Sequence, residues 1–465
     1  MSTISLFFQS GYSAALGFIA NLVLTILLTP KIFGIYFTVL SLIAILNYFS
    51  DIGLAASLIQ KKEIDDNEVA TVFTVQQILV LLIVFLGFSA TAFIIKFYQL
   101  PQEGQSLYWA LLISFFFSSL KTIPSIFLER KIQFQKIVLV QIIENTVFYL
   151  TVIISAVSGL GLKSFTNGVI LRAIVGVFVI YYISPWKMKL KIDFSILKKL
   201  LSFGIPFQAS SFMALLKDDL LTLYLGKVLG FQALGYIGWA KKWAESPIRI
   251  IMDSISRVLF PLFSRFQNNL DQLKKMVNKV IYYQSAVIIP ATFGLAIVMG
   301  KLVYLIPKYS KWAPAMPLFY LFCLSAIFSS YSTPFINLLN GLGKVKISFN
   351  FMVAWTAATW ILTPLLTRFY GSFGFPLTLV ILSSSFIVVV NVAKKTVDFS
   401  FLKNVYQFLT ASLLMAAAVL IISRLPIPSG PSLLISISTG IITYLLALKV
   451  IFRINFAEEI RFLTK

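Results

Sequence analysis

Long apolar runs follow one another along nearly the whole sequence, separated by short polar connections. A helix needs about 20 residues to cross the ~30 Å hydrocarbon core of a bilayer. Fourteen runs meet this length: 5–29, 33–59, 69–95, 105–127, 137–157, 165–185, 200–226, 231–259, 280–300, 313–340, 347–367, 373–393, 402–423 and 432–452. They leave no stretch for a separate soluble domain. The pattern therefore predicts an all-α membrane protein with 14 transmembrane helices.

The composition agrees with this prediction. Hydrophobic residues make up 58% of the chain and charged residues 12%, whereas soluble proteins have roughly 45–50% and about 25%. Residues 1–10 contain no Lys or Arg. The start therefore lacks the basic region of a cleavable signal peptide, and we expect the first helix to be retained.

The net charge of +22 is unevenly distributed along the chain. Of the 39 Lys and Arg residues, 25 fall in the even-numbered connections and at both termini, nine in the odd-numbered connections and five inside the predicted helices. Because cytoplasmic loops carry the excess of Lys and Arg, both termini are predicted to be cytoplasmic. The basic surplus is explained by orientation and by contact with anionic lipid headgroups, so no nucleic-acid partner is predicted.

Two absences limit the chemistry. The chain has no histidine and a single cysteine, Cys323. This excludes histidine-based triads, histidine-ligated metals, an intrachain disulfide and multi-cysteine metal sites. We therefore predict no catalytic residue, no metal and no cofactor, and we expect Cys323 to be a small core residue.

The chain also divides into two similar parts. The segment LLTPKIFGIYFTVL, with Gly34 and Tyr36, is followed later by LYLGKVLGFQALGYIGWA, with Gly235 and Tyr236. Such repeats are typical of transporters, which place their binding site between the two repeats. The predicted organisation is an N-lobe with helices 1–6 and a cytoplasmic linker (1–199), a C-lobe with helices 7–12 (200–400), and helices 13–14 with a cytoplasmic tail (401–465).

Charged residues inside the predicted helices are the candidate functional residues. With Lys121, Arg257, Lys403 and Lys449 assigned to the adjoining connections and tail, there are eleven: Asp51, Glu144, Arg172, Lys217, Asp218, Asp219, Lys241, Lys242, Glu245, Arg249 and Asp253. A charge that faces lipid at the bilayer centre costs about 2.5–3.5 kcal/mol. These side chains must therefore form pairs or face water. Asp51, Arg172 and Asp253 are close enough to span ends to reach the interface.

The charges of predicted helices 7 and 8 allow two interpretations. Lys241, Glu245, Arg249 and Asp253 recur every four residues and share one helix face, with Lys242 beside it. They are either a structural ladder of ion pairs or the wall of a hydrated cavity. In a cavity, the cations Lys217, Lys241, Lys242, Arg249 and Arg172 would bind phosphate or pyrophosphate oxygens.

Other residues complete this hypothesis. Five polar or aromatic side chains are candidates to hydrogen-bond or stack on sugars: Gln208, Ser210, Ser211, Trp239 and Trp243. The six carboxylates Asp51, Glu144, Asp218, Asp219, Glu245 and Asp253 are assigned to coupling or charge balance. Glu144 and the pair Asp218–Asp219 either bind a coupling ion or proton, or simply neutralise nearby cations.

A family resemblance rests on seven segments in a fixed order. They are FGIYFTVLSLIAILNYFSDIGLAASLIQKK (33–62), SIFLERKIQFQKIVLVQIIEN (125–145), LLSFGIPFQASSF (200–212), GKVLGFQALGYIGWAKKW (226–243), RVLFPLFSRFQNNLDQL (257–273), KYSKWAPAMPLFYLFCL (308–324) and NLLNGLGKVK (337–346). In this order the chain resembles the bacterial polysaccharide-export flippases of the MOP superfamily, over about residues 5–400.

The resemblance implies two six-helix lobes in a V around a central cavity, working by alternating access. The implied cargo is an oligosaccharide linked to undecaprenyl pyrophosphate, moved from the cytoplasmic to the outer leaflet of the cytoplasmic membrane. Helices 13 and 14 would support a lipid groove. The implied partners are the bilayer and the polysaccharide polymerase and glycosyltransferases of the same pathway. One departure is the absence of Lys or Arg in helix 1, where Gln9 is the nearest polar candidate.

Two alternatives stay open. Cation-coupled multidrug exporters belong to the same superfamily, and the five basic and six acidic residues inside the predicted helices do not exclude that function. A membrane glycosyltransferase or acyltransferase is the more distant alternative. The absence of histidine, and the location of Asp218–Asp219 within a helix rather than a loop, disfavour it. The coupling ion, whether sodium or a proton, is not readable from the sequence.

Overall fold

The computed structural model describes residues 2–424 and 429–455, and its regular structure within them is helix. The helices are α1 (Ser2–Leu27), α2 (Pro30–Tyr48), α3 (Leu54–Gln60), α4 (Asp66–Ser89), α5 (Thr91–Tyr98), α6 (Gln102–Leu120), α7 (Thr122–Arg130), α8 (Phe134–Val157), α9 (Lys163–Ile183), α10 (Phe194–Arg265), α11 (Leu270–Leu305), α12 (Met316–Gly341), α13 (Val345–Tyr370), α14 (Gly374–Ser384), α15 (Phe386–Lys394), α16 (Phe401–Ile422) and α17 (Ser429–Leu446). A 3₁₀ turn precedes α12 and a π turn follows α17.

Eleven stretches within the described residues are helical, long and apolar enough to cross a membrane. The chain is therefore a multi-pass membrane protein, as predicted. The stretches do not divide the chain as the prediction does. Val345–Lys394 joins the predicted spans 347–367 and 373–393, and Leu215–Ser246 takes parts of two others. The number of fourteen spans stays a prediction.

The helix α10 is interrupted once, at Gly230, whose φ of 78° and ψ of 168° are not helical. This break falls between the predicted spans 200–226 and 231–259. The helix begins after Asp193, whose Oδ1 accepts hydrogen bonds from the backbone N–H groups of Ser195 (2.9 Å) and Ile196 (3.2 Å). The Ser195 hydroxyl also donates to this carboxylate, and these hydrogen bonds hold the pKa of Asp193 below its usual value. A charged N-cap therefore fixes where α10 starts.

The predicted span 33–59 contains a break between α2 and α3. Asp51 lies in it, and its two carboxylate oxygens accept from the N–H of Ala55 at 3.0 and 3.2 Å. Gly53 precedes α3 in the left-handed conformation, with φ of 76°. Asp51 therefore satisfies an N–H at the start of α3, which the break leaves without a helical partner.

The first turns of α10 lie against this break. A Cβ on Gly53 would collide with the backbone of Gly204, and one on Gly204 would meet the carbonyl groups of Ile52 and Gly53. The Tyr48 hydroxyl donates to the Gln208 carbonyl at 2.7 Å, and the Gln208 amide donates to the Tyr48 carbonyl at 2.8 Å. The two glycines thus allow direct backbone contact, and the exchanged hydrogen bonds hold it.

The two glycines of the sequence repeat also lie in one contact. A Cβ on Gly34 would collide with the carbonyl of Phe231, and a Cβ on Gly235 would collide with the carbonyl of Pro30. Each carbonyl belongs to the residue four positions before the other glycine. The two contacts are therefore equivalent: each repeat places its glycine against the same position of the other repeat.

The chain forms two compact units, Met1–Gly235 and Tyr236–Lys465. In the first unit, a buried cluster joins α3, α4, α7 and the start of α10: Leu54, Leu58, Val69, Val72, Phe73, Ile123, Ile126 and Leu200. In the second unit, α11 packs on α16 and α17, and α12 packs on α14 and α15. The predicted boundaries at 199 and 400 follow the repeat pattern and stay predictions.

A proline in α11 is compensated by α17. Pro290 has no N–H, so the carbonyl of Ala286 lacks its usual helical donor. The Tyr444 hydroxyl donates to this carbonyl at 2.7 Å. A side chain of α17 therefore supplies the hydrogen bond that a carbonyl of α11 lacks, in a region where water is excluded.

We predict that Gly53→Ala destabilises the protein more than Gly343→Ala. Both glycines have positive φ, at 76° and 73°, but an added Cβ meets no atom within 4 Å at Gly343. The control reports the left-handed backbone cost of about 1–2 kcal/mol. The collision with Gly204 adds a packing cost of about 1–3 kcal/mol. The measurement is the thermal unfolding midpoint of each variant in detergent. Equal midpoints would contradict the contact.

Candidate functional site

Glu144 on α8 is a buried carboxylate, 5% exposed. The Lys121 ammonium is 2.6 Å from Glu144 Oε1, and Arg172 Nε on α9 is 3.8 Å from Oε2. Two cations thus share one carboxylate. The interpretation of Glu144 as a neutralising group has direct geometric support.

A glycine makes room for Glu144, and an aromatic ring contacts Arg172. A Cβ on Gly176 would collide with the Glu144 carboxylate, so the absence of a side chain at Gly176 makes the room that Glu144 occupies. The Arg172 guanidinium lies 5.8 Å from the centre of the Phe148 ring. Its side chain is 45% exposed. Arg172 is therefore anchored at one edge and accessible at the other, as an anion-binding residue must be.

Lys121 was missed as a site residue. From the sequence it is assigned to a cytoplasmic connection although it falls within the predicted span 105–127, and in the structure it lies at the joint of α6 and α7, inside the apolar stretch Gln102–Arg130. A lone Lys between the apolar runs LISFFFSSL and TIPSIFL is the signal that could have identified it. Its carboxylate partner Glu144, 23 residues away, is recognisable as a charge inside a predicted helix, but nothing in the sequence indicates that the two residues pair.

Three candidates lie on α10 in the first unit. Lys217 and Asp218 are exposed, and Asp219 is half-buried near Ser41 on α2. Within the described part of the chain, none of the three forms an ion pair. The local sequence of opposite charges therefore does not produce local pairing, and two of the three charges remain on the surface of a membrane-spanning stretch.

Four further candidates lie on α10 in the second unit. Glu245 Oε2 and Arg249 Nε are 3.9 Å apart, with side chains 28% and 76% exposed. Such an exposed i,i+4 pair is weak. Lys241 lies 5.6 Å from the centre of the Phe375 ring, and Lys242 is exposed. The stripe is thus not a continuous ladder through these residues. The side chain of Asp253, its predicted last member, lies outside the described residues.

The predicted sugar-contacting residues are mostly used in packing. Trp239 is buried, stacks on Trp312 at 5.3 Å and donates to the Tyr309 hydroxyl at 3.0 Å. Trp243 is also buried. The prediction that these two indoles line a sugar site is therefore wrong. The Gln208 amide binds the Tyr48 carbonyl as described above. The side chains of Ser210 and Ser211 lie outside the described residues.

The second unit also contains an apolar cavity of about 460 Å³ between α11, α16 and α17. Its lining residues include Pro290, Gly294, Val298, Met415, Ser436 and Gly440. Glycines and a helix proline on facing walls leave the space that larger side chains would fill. Within the described residues, no group of three or more His, Cys, Asp or Glu side chains could hold a metal. Cys323 is buried with a free thiol, as expected.

Two relatives found by sequence are biosynthesis proteins, one of lipopolysaccharide and one of amylovoran. The lipopolysaccharide biosynthesis protein WzxC of Escherichia coli (strain K12) is 25% identical over 343 residues, which cover 73% of this chain and 69% of WzxC. The amylovoran biosynthesis protein AmsL of Erwinia amylovora is 24% identical over 318 residues, covering 66% of this chain and 81% of AmsL.

Solved structures show the fold. The lipid II flippase MurJ in an inward closed conformation superposes with a TM-score of 0.77 at 15% identity, covering 97% of this chain and 98% of MurJ. An inward-facing multidrug resistance transporter of the MATE family and MOP superfamily gives a TM-score of 0.62 at 13% identity, covering 85% and 94%. The chain therefore has the fold that these transporters share.

The family follows from the sequence itself. Residues 23–317 match the family described as "Polysaccharide biosynthesis protein", which is well over half of the chain. The resemblance noted from the ordered segments is thereby confirmed. With eleven apolar helical stretches long enough to cross a membrane among its described residues, the chain is a multi-pass protein of the cytoplasmic membrane, and it belongs to the polysaccharide biosynthesis protein family.

Proposed function

We propose that the protein is a flippase that moves undecaprenyl-pyrophosphate-linked oligosaccharides from the cytoplasmic to the outer leaflet by alternating access. In this proposal the chain has fourteen spans, cytoplasmic termini and two six-helix lobes in a V, followed by helices 13 and 14. The reciprocal glycine contact of Gly34 and Gly235 supports the repeat. The 25 to 9 distribution of Lys and Arg supports the orientation. The mechanism includes no catalytic step.

One observation carries the proposal: charged side chains are exposed inside a membrane-spanning stretch. Lys217, Asp218 and Lys242 are all exposed within Leu215–Ser246. Exposure to lipid would cost about 2.5–3.5 kcal/mol for each charge near the bilayer centre. These side chains therefore face water, which requires a hydrated cavity within the membrane. Several cations exposed to water suit a pyrophosphate-linked headgroup.

Multidrug export is the competing function because those transporters share the fold. The sequence family favours polysaccharide precursors, since the relatives named above are a lipopolysaccharide and an amylovoran biosynthesis protein. The exposed cations Lys242 and Arg249 also favour an anionic cargo over a cationic drug. The proposed partners are the bilayer and the polymerase and glycosyltransferases that extend and supply the same glycan.

The carboxylates have two roles in this proposal. Glu144 is a positioning residue that neutralises Lys121 and orients Arg172 toward the cargo. Asp218 and Asp219 are the candidates for coupling to sodium or protons, because neither forms an ion pair with a described residue. Transport into proteoliposomes under imposed sodium, proton and voltage gradients distinguishes the possible driving forces.

We predict that Lys242→Ala combined with Arg249→Ala abolishes surface polysaccharide in cells that depend on this protein. The two substitutions remove cations from the cargo site, whereas Lys403→Ala removes an exposed cation at the start of α16 and serves as the control. The measurement is surface glycan by gel and immunoblot at matched protein levels. Unchanged glycan in the double variant would argue against a pyrophosphate site. A change in drug susceptibility alone would favour multidrug export.

A second prediction concerns the buried ion pair. Glu144→Gln leaves Lys121 without its carboxylate, and breaking a buried pair from one side costs about 3–5 kcal/mol. Lys121→Met in the same chain removes the orphaned charge, so the double variant is expected to recover most of the lost stability. The measurement is the apparent unfolding midpoint of both single variants and the double variant. Additive losses would show that the pair does not act as a unit.

A further inference from the structure

Lys301 is a cation without a carboxylate partner among the described residues. It lies on α11, one turn before the helix ends at Leu305, and its ammonium donates to the hydroxyls of Ser432 (3.1 Å) and Ser436 (2.6 Å) on α17. Both serines are buried, with 7% and 1% of their surfaces exposed. The two hydroxyls fix the position of the ammonium, but they leave its charge uncompensated.

This polar group continues the wall of the apolar cavity. Lys301 follows the cavity residues Ile297 and Val298 by four and three positions, so it extends the same face of α11. Ser432 precedes Ser436 by one turn on α17, and Ser436 itself lines the cavity. The apolar cavity and the positive charge of Lys301 therefore meet at Ser436. Toward its other end, Tyr444, also in the lining, joins α17 to α11 through Ala286.

The chemistry of a matching ligand follows from this arrangement. It has an apolar chain for the cavity and a single anionic group for Lys301. One ammonium and two hydroxyls match one phosphate, whereas a pyrophosphate is better matched by several cations. The absence of an acidic partner for Lys301 in the described chain also disfavours a headgroup that carries its own ammonium. A phospholipid with a net negative charge has both required features.

We propose that α11, α16 and α17 bind one anionic phospholipid, with an acyl chain in the cavity and its phosphate on Lys301. The bilayer supplies this ligand at high local concentration, so even moderate affinity keeps the site occupied. The bound lipid stabilises the packing of α16 and α17 on α11. This role is separate from cargo transport, and it is measurable without any transport assay.

The test is lipid titration of delipidated protein in detergent, followed by native mass spectrometry. Dioleoylphosphatidylglycerol and dioleoylphosphatidylcholine have identical chains and differ in net charge. We expect one molecule of phosphatidylglycerol to bind, roughly tenfold more tightly than phosphatidylcholine, because the choline cation of phosphatidylcholine repels Lys301 while both lipids carry the same phosphate. Equal binding of the two lipids would overturn the requirement for a lipid with a net negative charge at Lys301.

Three variants locate the ligand. Lys301→Met is expected to lower the affinity for both lipids and to abolish the preference for phosphatidylglycerol, whereas Lys403→Met, which removes an exposed lysine of α16, is expected to leave both unchanged. Gly294→Leu fills the cavity, because an added Cβ there meets no atom within 4 Å. It is expected to weaken both lipids while the protein stays folded.

Three results would overturn parts of this proposal. Wild-type binding by Lys301→Met, or an equal loss in Lys403→Met, would overturn the headgroup site. Unchanged binding by Gly294→Leu would overturn the placement of the chain. If undecaprenyl phosphate displaces phosphatidylglycerol at equimolar concentration, the cavity belongs to a polyprenyl lipid, and the proposal of a phospholipid is wrong.

Discussion

The hydrocarbon core offers no water to a backbone group, so every interruption of a helix must be compensated inside the protein. The structure meets this requirement at two places in different ways. Between α2 and α3, the carboxylate of Asp51 accepts from Ala55. In α11, the carbonyl released by Pro290 receives the Tyr444 hydroxyl. Each compensation comes from a side chain that has no other polar partner described above. The breaks are therefore stabilised by specific hydrogen bonds. These bonds fix the relative position of elements that hydrophobic packing alone would allow to shift.

The same constraint separates charges that are paired inside the protein from charges that are exposed. Glu144 is buried and forms ion pairs with Lys121 and Arg172, so its charge is neutralised inside the first unit. Lys217 and Asp218 are exposed within a membrane-spanning stretch and need water nearby. Burial and partner identity, rather than residue type, distinguish the two groups. Arg172 belongs partly to both, since one edge of its guanidinium faces Glu144 while nearly half of its side chain is accessible.

The fold class was predictable because apolar runs report directly on membrane helices, and the family was recognisable from the order of its segments. The sequence also singled out Gly34 and Gly235. It did not indicate that each would meet the backbone just before the other, because such contacts depend on how distant helices cross. For the same reason the sequence predicts Lys121 to be a loop cation, and Trp239 to contact sugar although it stacks in a buried aromatic cluster. Periodicity reports the face of a helix but not what covers it.

The ion pair of Lys121 and Glu144 has a consequence for biogenesis. The stretch Gln102–Arg130 precedes α8 in the chain, so Lys121 leaves the ribosome before its carboxylate partner Glu144. A lysine in an inserting helix is unfavourable by about 2.5–3.5 kcal/mol near the bilayer centre. Pairing with Glu144 removes this cost, so insertion of α6 and α7 is energetically coupled to insertion of α8, which carries the carboxylate.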